Sequence, residues 1–180
     1  MDKQLVRLSK KLSFVLRHQP ERIGITLDQF GRVDLQELIQ KFNQHYQTPI
    51  DTKKIAQISA QSNKQRFAIE GNTIRALYGH SIPVKPLAKK SQPPMFLYHG
   101  TSHLAAGLIM QDGLKKMERS FVHLSADFQN AKQVGQRHDP HPVILKIKSQ
   151  QAASAGILFY PTKSGVWLTD YLPPQFILPE

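Results

Sequence analysis

The chain has 180 residues, of which 40% are hydrophobic, and it contains no cysteine. The lack of cysteine excludes disulfides and thiolate zinc sites. No apolar run approaches the roughly 20 residues that a membrane span needs, and the first residues lead directly into an amphipathic pattern instead of a signal peptide. We therefore expect one domain or two small lobes, a cytoplasmic location and no membrane partner.

Charge is distributed unevenly along the chain. There are 24 Lys and Arg against 13 Asp and Glu, which gives a net charge of +11. Residues 1–90 carry 16 basic and 7 acidic side chains, whereas residues 91–180 carry 8 and 6. A basic half of this strength is typical of a polyanion-binding surface. A solvated basic face without a partner is the alternative.

The first half shows the pattern of three helices followed by a hairpin. Pro20 predicts that the first helix ends near Arg17 and His18. Asp34 precedes the second helical pattern as a capping residue, and a third helical pattern follows Asp51. Two short apolar runs around Gly71-Asn72 predict the hairpin. Residues 1–80 are therefore predicted to form a winged-helix-like lobe. The apolar positions of the first helix are Leu5, Leu8, Leu12, Val15 and Leu16.

The second half follows a proline- and lysine-rich stretch, residues 81–94, which we expect to be a linker. Residues 95–180 then alternate short strand-like runs with two helical patterns, which predicts a β-rich lobe and an α+β protein overall. The strand-like runs are 95–99, 121–124, 143–147, 157–160 and 166–168, and the helical patterns are 104–111 and 127–134.

The familiar chemical motifs are absent. Neither G-x-G-x-x-G after a strand nor G-x-x-x-x-G-K-[ST] occurs, which argues against a Rossmann or P-loop enzyme. His138 and His141 are three residues apart, but their proline-rich surroundings and the lack of cysteine argue against a metal site. We expect no metal.

Arginine and histidine supply the candidate groups of the first half. Arg17 and His18 place a permanent cation with forked donors beside a titratable ring, which suits a phosphate dianion. Compensation of the helix dipole by Arg17 is the alternative, and helical spacing alone favours it. Arg66 precedes Phe67 at the entrance to the hairpin, where it is either a ligand contact or an ordinary surface charge.

Two segments supply the candidates of the second half. Tyr98-His99-Gly100-Thr101 ends a strand on a glycine that would allow a ligand to approach the backbone, although Thr101 or Ser102 also suits a helix cap. Residues 119–125 begin with an arginine, and a period of two would place Arg119, Phe121, His123 and Ser125 on one face. That mixture fits a pocket better than a core. Trp167 is interpreted as a core anchor.

Taken together and in order, these segments resemble the RNA 2′-phosphotransferase family, which comprises the tRNA-splicing 2′-phosphotransferases and their bacterial relatives. Each segment alone is weak evidence for the family, whereas the whole set in this order is specific to it. The matching segments are residues 16–20, 64–67, 74–76, 79–81, 98–101, 117–125, 134–138 and 165–169.

The resemblance implies an RNA-binding winged-helix lobe and an ADP-ribosyltransferase-like lobe that binds NAD⁺ as a consumed co-substrate. It implies a reaction in two steps. An internal RNA 2′-phosphate attacks C1″ of NAD⁺ and expels nicotinamide. The ribose O2″ then attacks phosphorus, which releases the RNA 2′-hydroxyl and ADP-ribose 1″,2″-cyclic phosphate. We expect a tRNA-like substrate and a monomeric protein.

The resemblance also assigns residues to roles. The family's catalytic residues match Arg17, His18, Arg66 and Arg119. Its NAD⁺ contacts match His99, Gly100 and Thr101 in one segment, and His123, Leu124 and Ser125 in another. Arg17 and His18 would then form half of a phosphate site that Arg119 completes from the other lobe.

Three positions depart from the family pattern. Asn63 stands where Asp is frequent, Tyr78 where Gln is frequent, and Phe121 where His is common. None belongs to the catalytic set, but Phe121 puts any ligand role of its position in doubt.

Two other functions fit parts of the sequence. The first is an ADP-ribosyltransferase that stops after the first step and modifies a nucleic-acid end or a protein. Protein-modifying members often carry a late catalytic Glu, whereas the only acids here after Asp139 are Asp170 and Glu180. The second is a non-catalytic nucleic-acid-binding protein, which would leave the segments around His99 and Arg119 unexplained.

Overall fold

The structure, a computed structural model, describes residues 3–61 and 65–179. The chain forms two compact units, residues 1–87 (unit 1) and residues 88–180 (unit 2). The segment predicted to be a linker is divided between them. The peptide N–H of Lys85 donates to Gln29 in unit 1, and that of Ser91 donates to Phe159 in unit 2.

Unit 1 contains three α-helices and a small antiparallel sheet within its described residues. The strand order is β1-β3-β2, with β2 and β3 forming the predicted hairpin. The elements in chain order are α1 (Lys3–Arg17), a 3₁₀ helix (Pro20–Ile23), β1 (Arg32–Asp34), α2 (Leu35–Tyr46), α3 (Thr52–Ala60), β2 (Phe67–Glu70) and β3 (Thr73–Ala76).

Aspartate side chains begin α2 and α3, and the cap at Asp34 was predicted. Asp34 accepts hydrogen bonds from the peptide N–H groups of Gln36 and Glu37, both at 2.9 Å. Asp51 accepts one from Lys54 at 2.7 Å. Each carboxylate satisfies N–H groups that have no partner inside the first turn of a helix. Strand β1 was not predicted, because three residues are too few to establish an alternating pattern.

The core of unit 1 lies beneath α1. The predicted apolar positions of α1 are all buried and pack with Phe42 of α2, Ile55 of α3 and Phe67 of β2. Helix α1 ends at Arg17, also as predicted. The amphipathic pattern thus fixes the position of the helix end that carries Arg17.

Unit 2 is built on a six-stranded antiparallel sheet of strand order β11-β7-β4-β6-β9-β8, with β5 and β10 as a separate pair. The whole chain is therefore an α+β protein, as predicted. The elements in chain order are β4 (Leu97–Thr101), α4 (His103–Asp112), β5 (Leu114–Lys115), β6 (Val122–Ser125), α5 (Phe128–Gly135), β7 (Val143–Ile147), α6 (Ser149–Ser154), β8 (Tyr160–Pro161), β9 (Val166–Thr169), β10 (Tyr171–Leu172), a 3₁₀ helix (Pro174–Phe176) and β11 (Ile177–Pro179).

The prediction of a strand over residues 157–160 is wrong. The strand β8 begins only at Tyr160, and Phe159 is buried from an irregular segment that follows α6. Phe159 therefore reflects burial and not extended structure. The two predicted helices correspond to α4 and α5, whereas α6, β5, β10 and β11 were not predicted.

Helix α5 lies directly on β4 at two glycines. A β-carbon on Gly100 would overlap the carbonyl of Ala131 and lie 3.0 Å from the peptide nitrogen of Gly135. A β-carbon on Gly135 would lie 2.6 Å from that of Pro142 and 3.2 Å from the Cα of Gly100. The space beside Gly100, which the sequence suggested was open to a ligand, is occupied by the backbone of α5.

No helix within residues 3–61 and 65–179 has the length and apolar composition required to cross a membrane.

Gly100→Ala should destabilise the protein by about 3 kcal/mol, near the upper end of the usual cost of overpacking, because the neighbouring atoms belong to a helix backbone. Gly107→Ala is the matched control, since Gly107 lies in α4 with no atom near its missing β-carbon. It should instead stabilise by up to about 1 kcal/mol. Urea unfolding measures both changes, and equal free energies of unfolding for the two variants would contradict the close approach.

Candidate active site

The C-terminal end of α1 carries two of the predicted catalytic residues. Arg17 is the last residue of the helix, and the peptide N–H of His18 still donates to the Phe14 carbonyl at 2.9 Å. Arg17 is partly buried and His18 is exposed. The surrounding protein therefore restricts the Arg17 side chain more than the His18 side chain.

Residues 78–81, which we call the 78–81 segment, lie against this helix end. The Ser81 peptide N–H donates to the Arg17 carbonyl at 3.0 Å, and the Ser81 Oγ lies 2.9 Å from His18 Nδ1. The Arg17 guanidinium carbon lies 5.0 Å from the centre of the Tyr78 ring. A β-carbon on Gly79 would lie 3.4 Å from Arg17 Nη1, and Gly79 has a φ of 85°. Each side chain of the pair is thus in contact with this segment.

His80 anchors the segment in the interior of unit 1. Its side chain is 6% exposed, and its Nε2 is buried without a hydrogen-bond partner among the described residues. A β-carbon on Gly31 would lie only 3.0 Å from that nitrogen. Burial, followed by the positive charges of Arg17, His18 and Arg75, lowers the pKa of His80 from 6.5 to about 4. His80 is therefore a neutral side chain at physiological pH.

Arg75 adds another cation beside His80. It lies opposite Arg32 across the β1–β3 pair, and Glu70 lies near both guanidinium groups, at 3.5 Å from Arg75 and 3.9 Å from Arg32. One carboxylate between two arginines reduces their repulsion. Arg75, His80 and Ser81 lie in segments that match the family, but the sequence predicts no role for them, because burial and contact are what single them out.

Arg66 lies directly before β2, at the end of the hairpin where β3 leads into the 78–81 segment. Its carbonyl accepts a hydrogen bond from the peptide N–H of Leu77 at 2.9 Å, directly before the 78–81 segment. Arg66 is partly exposed and Phe67 is buried in the core, as predicted. Lys64 and Asn63 lie outside the described residues.

The candidate residues of unit 2 lie on the neighbouring strands β4 and β6. His99 Nδ1 lies 3.1 Å from the His123 carbonyl, which can only accept, so Nδ1 carries the proton. In the neutral ring, Nε2 is then an acceptor. Burial lowers the pKa of His99; the His123 bond opposes this, while the charges of Arg119 and His138 add to it.

Arg119 lies in an exposed bend before β6. The predicted alternation of side chains applies only within the strand, where Val122 and Leu124 are buried and His123 and Ser125 are partly exposed. Arg119 and Phe121 precede the strand, so a period of two does not place them on its face. The effect of Arg119 on the pKa of His99 nevertheless shows that its charge lies near that ring.

The remaining candidates of unit 2 have structural positions. Leu124 is 1% exposed, so a ligand contact there would have to use its backbone. Thr101 is buried, and the Ser102 side chain accepts from Ala105 N–H to cap α4. Side chains alternate along β4, so His99 and Thr101 point to the face opposite the Gly100–α5 contact. Trp167 is partly buried and packs against the core.

Arginine and histidine, and not metal-binding clusters, dominate both sites. Among the described residues, no group of three or more histidine or acidic side chains is placed to hold a metal ion. The peptide N–H of His141 donates to Asp139 at 2.9 Å, and His103 Nδ1 lies 3.2 Å from the same carboxylate. Guanidinium groups bind phosphate through paired hydrogen bonds, and a neutral imidazole can accept one from a hydroxyl.

The fold and the two sites thus describe an α+β protein whose candidate groups suit anions and hydroxyls. Residues 3–171 match the sequence model of the "RNA 2′-phosphotransferase, Tpt1 / KptA family". The chain belongs to this family, which confirms the resemblance found in the sequence.

Three similar proteins each bear the name "Probable RNA 2′-phosphotransferase". One from Lacticaseibacillus paracasei is 56% identical over 177 residues, covering 98% of this chain and 94% of the relative. One from Escherichia coli is 44% identical over 183 residues, covering 98% and 96%. One from Bacillus thuringiensis subsp. konkukian is 40% identical over 182 residues, covering 98% and 97%. The similarity extends across both units.

Acid should destabilise the protein through His80. The folded state holds the pKa of His80 near 4, against 6.5 for an ordinary histidine, so the unfolded chain takes up its proton first as the pH falls. Above about pH 6.5, protonation of His80 does not change the free energy of unfolding. As the pH falls to about 4, it lowers that free energy by about 3 kcal/mol. Urea unfolding at about pH 7.5 and about pH 4.5 measures it.

His80→Phe should remove this part of the pH dependence, because the ring it introduces does not titrate. His45→Gln, which removes an exposed histidine of α2 in the same unit, should retain it. If the wild type and His80→Phe lost equal stability over this range, the assignment to His80 would be wrong.

Proposed function

We propose that this protein is an NAD⁺-dependent RNA 2′-phosphotransferase that removes an internal RNA 2′-phosphate of the splice-junction type. A non-bridging phosphate oxygen bonds to C1″ as the C1″–N bond to nicotinamide breaks. The ribose O2″ then bonds to phosphorus as the P–O2′ bond breaks, and the O2″ proton passes to the RNA 2′-oxygen. The products are nicotinamide, ADP-ribose 1″,2″-cyclic phosphate and RNA with a 2′-hydroxyl.

The observation that carries this proposal is the family match over residues 3–171, which includes every candidate residue. The order of elements in unit 1 supports a winged-helix-like RNA-binding fold, because α1, β1, α2 and α3 precede the β2–β3 hairpin. The antiparallel sheet of unit 2 is compatible with an ADP-ribosyltransferase-like fold. The excess of basic residues in the first half supports RNA as the partner.

Arg17, His18 and Arg66 would act on the 2′-phosphate. A phosphate monoester carries close to two negative charges, and guanidinium groups can bind it bidentately without changing protonation state. In the second step negative charge increases on the phosphoryl oxygens, and cations already in place stabilise it. We propose that Arg119 supplies a further cation to the reaction, a role that metal ions often perform in phosphoryl transfer.

His99 and the residues near it would bind NAD⁺. Its Nδ1 donates to the His123 carbonyl, which leaves Nε2 as an acceptor suited to a ribose hydroxyl. The lowered pKa of His99 keeps the ring neutral and preserves that acceptor. Ser125 on β6 has a partly exposed hydroxyl and pairs with Tyr98 of β4, which directly precedes His99.

The alternatives receive less support. Asp170, one of the late acids considered for a protein-modifying enzyme, is exposed and lies 3.3 Å from Lys116 Nζ. A purely nucleic-acid-binding role gives no reason for the His99–His123 arrangement. Modification of terminal phosphates remains a side activity compatible with the first step.

Incubation with NAD⁺ and an RNA carrying one internal 2′-phosphate tests the proposal. We expect a 2′-hydroxyl RNA and ADP-ribose cyclic phosphate, identified by mass spectrometry of both products. RNA that retains its phosphate as a stable ADP-ribose adduct would instead indicate a transferase that stops after the first step. If no NAD⁺ were consumed with any phosphorylated RNA, the enzymatic function would be wrong.

Arg17→Ala, Arg66→Ala and Arg119→Ala should each lower kcat by a factor of about 100 or more, because loss of one preorganised donor commonly costs about 2.7–4 kcal/mol. Arg7→Ala is the control, since it removes the same charge from an exposed position on α1 and should retain most turnover at saturating RNA. Circular dichroism verifies folding. Near-normal turnover by Arg119→Ala would exclude that arginine from the site.

A further inference from the structure

We propose that the 78–81 segment is a positioning element for the catalytic pair. Tyr78 and Gly79 hold the Arg17 guanidinium, and Ser81 holds the His18 ring by Nδ1. The inference rests on the proposed function, because it assigns these residues a task within that reaction.

The contacts to Arg17 restrict a side chain that is otherwise long and mobile. Its guanidinium lies over the Tyr78 ring, with 5.0 Å from the guanidinium carbon to the ring centre. On another side it lies against the Cα of Gly79, where a β-carbon would be 3.4 Å from Nη1. A cation over an aromatic ring is attracted by the ring electrons. An arginine already fixed loses less rotamer entropy when it stabilises the charge of the transition state.

The contact to His18 fixes the orientation of the ring. The Ser81 Oγ lies 2.9 Å from Nδ1, and the Phe14 ring lies 6.0 Å from the imidazole, centre to centre. The second ring nitrogen points away from the one that is bound. A hydroxyl can donate to a neutral Nδ1 or accept from a protonated one, so the contact survives a change in ionisation.

The backbone keeps Ser81 in place. Its peptide N–H donates to the Arg17 carbonyl, one of the last carbonyls of α1 that the helix itself cannot satisfy. Buried His80 precedes it and fixes the segment to the interior. Ser81 and His18 are themselves exposed, so their hydrogen bond competes with water and adds little to folding. Its effect is on orientation.

Two pairs of variants of the full-length protein separate orientation from shape. Ser81→Thr keeps the hydroxyl, whereas Ser81→Val has the same shape without it. Tyr78→Phe keeps the ring, whereas Tyr78→Leu does not. We expect kcat on the 2′-phosphorylated RNA to fall about tenfold in Ser81→Val and about threefold in Tyr78→Leu, with RNA affinity unchanged. Ser81→Thr and Tyr78→Phe should remain within about twofold of the wild type.

Long-range ¹H–¹⁵N NMR supplies a readout that does not depend on turnover. The His18 Nδ1 resonance, assigned by its loss in His18→Asn, should shift in Ser81→Val and keep its position in Ser81→Thr. Ser91→Ala, at an exposed serine of unit 2, should leave it unchanged. If Ser81→Val is poorly folded, Ser81→Ala gives the same comparison without added volume.

The outcomes are distinct. Unchanged kcat and an unchanged Nδ1 resonance in Ser81→Val would overturn the assignment of Ser81. A loss shared equally by Ser81→Thr and Ser81→Val would overturn it as well, because shape would then be the cause. A wild type that converts no RNA would overturn the proposed function, while a shifted Nδ1 resonance would still support the hold of Ser81 on His18.

Discussion

The peptide N–H of Ser81 donates a hydrogen bond to the carbonyl of Arg17, and through it the end of α1 is joined to the chain that leaves β3. A helix terminus does not by itself orient the side chains it carries. Here the terminal carbonyl, the guanidinium and the neighbouring imidazole all meet one short segment. The geometry of the candidate phosphate site in unit 1 depends on that junction, and the junction depends on the burial of His80.

Unit 2 has a comparable dependence on close backbone contact. Gly100 and Gly135 let α5 lie on β4 without intervening side chains. The neighbouring His99 is thereby turned to the other face of the sheet, where the His123 carbonyl fixes its protonated nitrogen. The chemistry available to His99 follows from a packing constraint one residue away.

Local rules predicted the parts of the fold that are themselves local. Asp34 was identifiable as a capping residue because a carboxylate directly before an apolar helical pattern commonly caps that helix. Strand β1 was not predicted because three residues are too few to show the alternating side-chain pattern of a strand. The prediction of a strand over residues 157–160 was wrong because Phe159 is buried without being in a strand.

The sequence could indicate the candidate site residues but not the contacts that their side chains make. Arg17, His18 and Arg66 were named through the resemblance, whereas their contacts join parts of the chain that no spacing rule connects. The sequence suggests that a ligand can approach the backbone at Gly100, whereas the structure places α5 beside that glycine. Tyr78 was noted only as a departure, yet its ring lies under the guanidinium of Arg17.

The contact between His18 and Ser81 spans 63 positions of sequence. During synthesis the N-terminal helix leaves the ribosome long before its partner segment, and chains grow at about 5–20 residues per second. The Arg17–His18 pair therefore spends several seconds on a nascent chain without the residues that orient it. Any N-terminal fragment that ends before residue 81 retains both side chains but lacks this organised arrangement.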